Sequence, residues 1–360
     1  MKDLGKVIVG MSGGVDSAVA AYLLVRAGYE VVGVTLRTWE SEGTRSRCCE
    51  IDAARQTARQ LGIEYHPWNA LDLFQEAVVT PFVQTYSEGK TPNPCVWCNA
   101  RVKWAKLSYL ATLLQAKRVA TGHYARVVRT ATGRYAVSAA ADSAKDQSYM
   151  LYRLSQEQLS RTLLPLGDYT KEEIRAIARG INLKVAAAPD SQEICFVTGD
   201  SYADFLSASF SDAQRAAAFA PGNFVDEAGN VLGQHQGLCR YTVGQRKGLG
   251  LALGYPAYVK HIDAAKREVT VAPKEALYRQ SIRCGDLNFM AFPKISPGEA
   301  IEAWVKIRYH HRGEAATILG QANDTVLINF HAPIRAPAPG QSAVFYDAAK
   351  QVLGGGIILA

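Results

Sequence analysis

The chain reads as α/β: a doubly wound parallel sheet with its helices comes first, followed by a small β-rich middle domain and a C-terminal β-barrel-like domain. Three observations predict this. A β-branched run, Val7-Ile8-Val9, passes through a glycine-rich stretch into a periodic apolar segment, the order strand, loop, helix. Strand and helix patterns then alternate repeatedly, as in parallel sheets joined by crossover helices. From about Phe210 the pattern changes to glycine turns and short alternating strands with few helix signals. At about 150 residues per domain, a chain of this length holds two or three. The expected boundaries are 1–205, 206–278 and 279–360.

Taken in order, the first helix ends at Gly28 and Val31–Leu36 reads as a second buried strand. The stripe Ile51, Ala54, Ala58, Leu61 marks a helix closed by Gly62. Glu64–Trp68 is strand-like, Leu71–Tyr86 helix-like, and Val119–Gly122 is another short strand. Tyr124–Ala140 alternates around an Ala-Thr-Gly turn, which predicts a hairpin. Thr170-x-x-Glu173 is a capping box for a helix that stops at Gly180. A break near Pro273–Ser281 separates the middle domain from the last eighty or so residues, a normal domain size.

Composition excludes several classes. Hydrophobic residues make up 48% and charged residues 20%, ordinary for a globular protein. No run approaches the roughly 18 apolar residues a membrane span needs. The first strand starts almost at the N-terminus, so the expectation is a cytoplasmic protein without a signal peptide or membrane association. There, seven cysteines are ligands, catalysts or buried hydrophobes rather than structural disulfides. The net charge of +7 says little by itself, but nine Lys/Arg and no Asp or Glu lie between Gly89 and Ala141. That window also holds Trp97, Trp104 and His123, side chains able to stack on or bond to bases, and so suggests a polyanion surface.

The glycine-rich stretch is Gly10-Met11-Ser12-Gly13-Gly14-Val15-Asp16-Ser17. Glycines let backbone approach an anion, and the following helix offers unpaired N–H groups and the positive end of its dipole. Asp16 and Ser17 can cap that helix or reach a metal ion and a phosphate oxygen; a tight βα turn with a good cap would use the same residues. In a doubly wound sheet, ligands sit at the carboxyl ends of strands, where Leu36 and Gly122 also fall. Cys95 and Cys98 are three apart, straight after Pro92 and Pro94, and Cys195 stands in Ser191-Gln192-Glu193-Ile194-Cys195-Phe196. Such cysteines serve half a zinc site, a redox pair, part of an iron–sulfur site, or only a core. Structural zinc lacks a second C-x-x-C, and adjacent Cys48-Cys49 suit tetrahedral ligation poorly.

Ser-Gly-Gly-Val-Asp-Ser resembles the PP-loop of the ATP pyrophosphatase superfamily. With MSGGVDS, TPNP followed by Cys98-Asn99, ATGHYA, KDQSYML, SQEICF, YTVGQRKGLG, KIRYHHRG and PGQSAVFYD in order, the chain resembles the tRNA-specific 2-thiouridylases over nearly its whole length. The resemblance implies an enzyme that uses ATP and Mg²⁺ to adenylate O2 of the wobble uracil of tRNA and replaces it with sulfur. It assigns Gly10–Ser17 to the nucleotide, to which the strand-end positions of Leu36 and Gly122 add those two residues. Cys195 becomes the persulfide carrier, loaded by a sulfur-relay or cysteine desulfurase protein, and Cys98 its nucleophilic or resolving partner through a transient disulfide. Asn93, Pro94 and Cys95 match the segment touching the target base, and His123, Lys145, Asp146, Gln147, Arg308, Tyr309 and Gln341 match tRNA contacts. Many members carry Asp where this chain has Cys95. Three thiolates, Cys95, Cys98 and Cys195, would instead suit a [4Fe–4S] cluster. The competing readings are another PP-loop adenylating enzyme for a small amide or acid, and an iron–sulfur RNA-binding protein.

Overall fold

In the computed structural model, which describes residues 4–39, 50–187, 194–197 and 202–359, the strand–helix alternation becomes a five-stranded parallel sheet. Its strands are β1 (Lys6–Gly10), β2 (Glu30–Arg37), β3 (Glu64–Asn69), β4 (Arg118–Thr121) and, beyond the hairpin β5 (Arg126–Arg129) and β6 (Tyr135–Ser138), the short β7 (Thr162–Leu163). The order is β3-β2-β1-β4-β7. The strand order reverses between β1 and β4, which places a crevice at their carboxyl ends. Val7, Ile8 and Val9 are fully buried, as expected for a central strand covered on both faces.

Two of the connecting helices end where glycine permits it. Helix α1 (Val15–Ala27) stops at Gly28 (φ 100°) and α2 (Ile51–Leu61) at Gly62 (φ 66°), both left-handed positions that close the last turn. Helix α3 runs Leu71–Phe74, takes a wide π-type turn over Gln75–Val79 and continues as Thr80–Ser87. A helix that the alternation did not single out is α4: Pro94–Trp97, a π segment Cys98–Trp104, then Ala105–Leu113. Its proline is at the first helical position, where the missing N–H costs nothing. Helix α5 (Lys171–Gly180) starts with the expected capping box, Thr170 and Glu173 bonding reciprocally.

Two expectations are corrected. Neither Asp16 nor Ser17 caps α1: Gly14 occupies the cap and Asp16 lies in the first turn. The chain after Phe210 is not β from its start, because α6 (Tyr202–Ser209) is followed by α7 (Asp212–Ala218). Phe205, Leu206 and Phe210 bury themselves in the core beneath the first sheet, where Phe74, Phe82 and Phe196 lie.

The middle sheet combines β8 (Gly222–Val225), β9 (Val231–His235), β10 (Tyr258–Asp263) and β11 (Glu268–Ala272) in the order β10-β11-β8-β9. A single-turn helix at Lys274–Leu277 leads into the last unit, a closed barrel. It comprises β12 (Tyr278–Phe289), β13 (Ala300–Lys306), β14 (Glu314–Gly320), β15 (Val326–Arg335), β16 (Ser342–Tyr346) and β17 (Val352–Ile358). Its order, β12-β15-β14-β13-β16-β17, leaves no free edge. The barrel docks on the first unit through a shared apolar cluster in which Val96, Trp104, Val137, Tyr149 and Tyr152 meet Met290, Val344, Tyr346 and Val352. No helix among the described residues is long and apolar enough to cross a membrane.

Candidate active site

The glycine loop leaves β1 at the strand-order reversal and returns as α1. Met11 and Val15 are buried, so their side chains serve the core and only their backbone is available to a ligand. Met11 N–H donates to Val34 O (2.8 Å), and Thr35 Oγ1 donates to Met11 O (2.6 Å). Ser17 Oγ accepts from Ser12 N (3.1 Å) and donates to Gly14 O (3.1 Å), closing the loop over the helix start. Gly13 needs its lack of a side chain: φ is +89°, and a Cβ would lie 2.6 Å from Glu50 O. Gly122, just past β4, presses on the first turn of α1, where a Cβ would lie 2.7 Å from Asp16 C and from Ser17 N. Leu36 is buried near the end of β2. These close approaches fit a cradle for an anion at the dipole end of α1.

Asp16 is not simply directed at a ligand. Its carboxylate accepts from Lys171 Nζ at 2.7 and 2.8 Å and from Tyr124 Oη at 2.7 Å. Tyr124 is held in turn by Gln147, whose Oε1 accepts from Tyr124 N (2.9 Å). Sequence reasoning missed Lys171 and Tyr124. The only local signal was that Lys171 is a cation in the first turn of a helix, where the dipole disfavours it.

Helix α4, which carries Cys95 and Cys98, reaches this crevice through Leu107. A Cβ on Gly10 would lie 3.1 Å from Leu107 Cδ1, so the helix carrying Cys98 packs against the end of β1. Cys98 is buried in the same cluster against which half-buried Cys195, with Ile194, packs. Ser191–Glu193 of that motif, like Cys48 and Cys49, lie outside the described residues. Asn99, 2% exposed, donates Nδ2 to Met150 O (3.0 Å), while its Oδ1 is buried without a partner. Cys95 stands one turn before Cys98 at the start of α4, close enough to the barrel that burial first, then the charges of Asp146 and Cys95, raise the pKa of Tyr309. Among the described residues no three His, Cys, Asp or Glu side chains gather as a metal-binding group.

The barrel pins the segment before the cysteines. Gln341 Nε2 donates to Thr91 O and Pro92 O, both at 3.2 Å, and Thr91 N donates to Pro339 O (2.8 Å). Gly340 (φ +90°) allows that contact, since a Cβ would lie 2.9 Å from Thr91 O. Trp97 lies under two guanidinium groups, Arg101 and Arg153, each 4.0 Å from a ring centroid. Arg153 reaches across to Asp286 of β12 (2.6 Å).

The residues matched to tRNA contacts divide. Arg308 is exposed and Lys145 half-exposed, while Asn93 is half-buried beside Met150 (3.8 Å) and Pro94 is buried. Asp146 is used internally: it accepts from Ser148 N, Ser148 Oγ and Ala140 N, with Lys306 at 3.7 Å. Trp104 is fully buried and donates to Thr162 Oγ1 (2.7 Å), which removes it from base stacking. His123 packs on Trp104, its Nδ1 2.8 Å from Thr121 Oγ1. Although part of its surface stays accessible, burial and then the Lys103 ammonium hold its pKa well below the usual imidazole range. The basic window is likewise partly consumed within the protein, as by Arg126 on Asp168, Arg134 on Phe289 O and Met290 O, and Lys90 on Glu88.

Comparison with known proteins matches all three units. Residues 5–199 match the family described as tRNA methyl transferase HUP domain, 213–273 the tRNA methyl transferase PRC-barrel domain, and 279–358 the aminomethyltransferase beta-barrel domain. The chain is 46% identical to a protein of Lachnoclostridium phytofermentans named tRNA-specific 2-thiouridylase MnmA, covering 98% of this chain and 99% of that one. Proteins of the same name from Heliobacterium modesticaldum (45% identical, 98% and 92% covered) and Clostridium perfringens (44%, 98% and 98%) are similar to it over the same span.

Proposed function

The chain belongs to the tRNA-specific 2-thiouridylase family, and from that premise we propose that it replaces O2 of the wobble uridine of tRNA with sulfur at the expense of ATP. The observation that carries the reading is the packing against one core of Cys98, on the helix whose Leu107 abuts the end of β1, and of Cys195, from a separate segment. Methyl transfer, the wording of two of the domain families, leaves two thiols packed against one core without a use, whereas sulfur insertion by a persulfide relay employs both.

The uracil O2 is a poor leaving group until it is adenylated. O2 attacks the α-phosphorus of ATP, pyrophosphate departs, and the new O–P bond makes AMP the group that later leaves. The amides of Gly13–Ser17 and the dipole of α1 stabilise charge on the phosphates. Asp16 is the carboxylate beside the loop that would hold Mg²⁺, which would neutralise further charge on the phosphates.

In the sulfur step, the terminal sulfur of a persulfide on Cys195 attacks C2. The Cys98 thiolate attacks the inner sulfur, the S–S bond breaks with its electron pair going to the transferred sulfur, and AMP leaves with the former O2. A Cys98–Cys195 disulfide remains, which a dithiol reductant reopens before a sulfur-relay or desulfurase protein reloads Cys195. Asn93, Pro94 and Cys95, held by Gln341 from the barrel, present the base, and exposed Arg308 contributes to backbone binding. We place the domain boundaries at 1–205, 206–278 and 279–360 and the reaction in the cytoplasm.

The test is product analysis of purified protein with tRNA, ATP and a persulfide donor. AMP, pyrophosphate and 2-thiouridine should form together and only with tRNA, and Cys98→Ser and Cys195→Ser should each stop thiolation. AMP release with small amides but not with tRNA would overturn the reading. With Asp16→Ala, adenylation should be lost while tRNA binding persists, since the carboxylate lies beside the phosphate cradle and Arg308 lies on the barrel.

A further inference from the structure

We infer that Lys171 supplies the phosphate-binding cation that the glycine loop lacks, with Asp16 and Tyr124 holding it in position until the triphosphate arrives. The inference rests on the reading above that this loop binds ATP. Between Gly10 and Val25 the sequence has no Lys or Arg, so the loop lacks the lysine that ends the commoner G-x-x-x-x-G-K-[ST] phosphate loop. A triphosphate met only by amides and by the carboxylate of Asp16 would face a negative charge with no side-chain cation. The fold corrects this from 155 residues away: the Lys171 ammonium is 2.7 Å from Asp16, in the first turn of α1.

That lysine is costly where it stands. Its side chain is only 10% exposed, and it occupies the first position of α5, facing the positive end of that helix's dipole. The neighbouring positions carry Glu172 and Glu173, the residue type such a turn favours. Its place is also tightly fixed. Lys171 N donates to Asp142 Oδ2 (3.1 Å), the Thr170–Glu173 capping box locks the turn, and the ammonium lies 5.8 Å from the Tyr124 ring centre. A merely structural partner for Asp16 would not need burial at a helix start, since Tyr124 already donates to the same carboxylate at 2.7 Å. The arrangement poises a cation, neutralised by Asp16, at the mouth of an anion cradle. A phosphate oxygen can then replace the carboxylate as its partner, and that exchange frees Asp16 for the metal.

The experiment is calorimetric nucleotide binding, with no turnover, using ATP, inorganic pyrophosphate and adenosine in EDTA so that metal ligation by Asp16 is silent. A charge-assisted hydrogen bond predicts that Lys171→Met weakens ATP and pyrophosphate about 10- to 100-fold, leaves adenosine within about twofold, and is largely rescued by Lys171→Arg. Asp16→Asn in EDTA should move ATP affinity the opposite way, because it removes a competing anion. Equal losses for ATP and adenosine, or ATP affinity unchanged in Lys171→Met, would overturn the inference. Wild-type protein that binds no ATP even when Mg²⁺ is restored would instead overturn the reading on which it rests. Should Lys171→Met fold poorly, the double variant Lys171→Met/Asp16→Asn leaves no buried charge unpaired: ATP affinity must stay low there, and its recovery would reduce Lys171 to a positioning partner of Asp16.

Discussion

Gly122→Ala tests whether the junction between β4 and α1 shapes the nucleotide cradle. An added Cβ would lie 2.7 Å from two backbone atoms, Asp16 C and Ser17 N, and 2.9 Å from Asp16 O. Carbon contacts are comfortable from about 3.5 Å, so the overlap is about 0.8 Å and no rotamer change relieves it. Either the end of β4 or the first turn of α1 must shift, which for overpacked sites costs about 1–3 kcal/mol. The atoms displaced belong to the amides assigned to phosphate, so ATP affinity should fall at least about tenfold, equivalent to about 1.4 kcal/mol. Urea unfolding followed by tryptophan fluorescence and calorimetric ATP titration measure the two effects. Gly180→Ala is the control: nothing lies within 4 Å of its added Cβ at the end of α5, and it should be neutral or stabilising by up to about 1 kcal/mol. A Gly122→Ala protein with wild-type unfolding midpoint and wild-type ATP affinity would refute the argument.

Three further outcomes are expected. Arg308→Ala should weaken tRNA binding and reduce the salt slope of its affinity by about one unit, measured by filter binding across salt concentrations; an unchanged slope would make it an ordinary solvated arginine. Cys95→Asp should retain much of the thiolation activity, because the proposed sulfur relay uses Cys98 and Cys195 and gives Cys95 only a part in presenting the base; loss as complete as in Cys98→Ser would give Cys95 a chemical role. His123 has a folded pKa well below its unfolded value, so the folded state binds fewer protons. Its contribution is therefore present above about pH 6.5 and lost as pH falls below it, and His123→Asn should flatten the acid limb of stability against pH.

Much of this molecule is local and therefore visible in its sequence. The β1–loop–α1 order, the helix stops at Gly28 and Gly62, and the Thr170–Glu173 box depend on residues a few positions apart, and each forms as read. Apolar Ala303, Val305 and Ile307 alternate in sequence with polar Glu302, Lys306 and Arg308, and their burial alternates likewise, although β13 ends at Lys306 and Arg308 lies in the bend beyond it. Aromatic identity was a poorer guide. Trp97, Trp104 and His123 share a basic window, but packing decides that Trp104 fills a core, that Trp97 stacks under two arginines, and that His123 stays neutral.

What the sequence alone determined is most of the local elements, the glycine-loop string and the cysteines proposed to move sulfur. Tertiary structure decided which distant side chains complete them: Lys171 and Tyr124 on Asp16, Gln341 on the Thr91–Pro92 backbone, and Cys195 in the core that holds Cys98. The physical reason is range. Caps, turns and burial periodicity are set by neighbours along the chain, whereas these partners meet only after the parallel sheet has closed around β1 and β4 and the barrel has docked on it, and no residue spacing encodes either event.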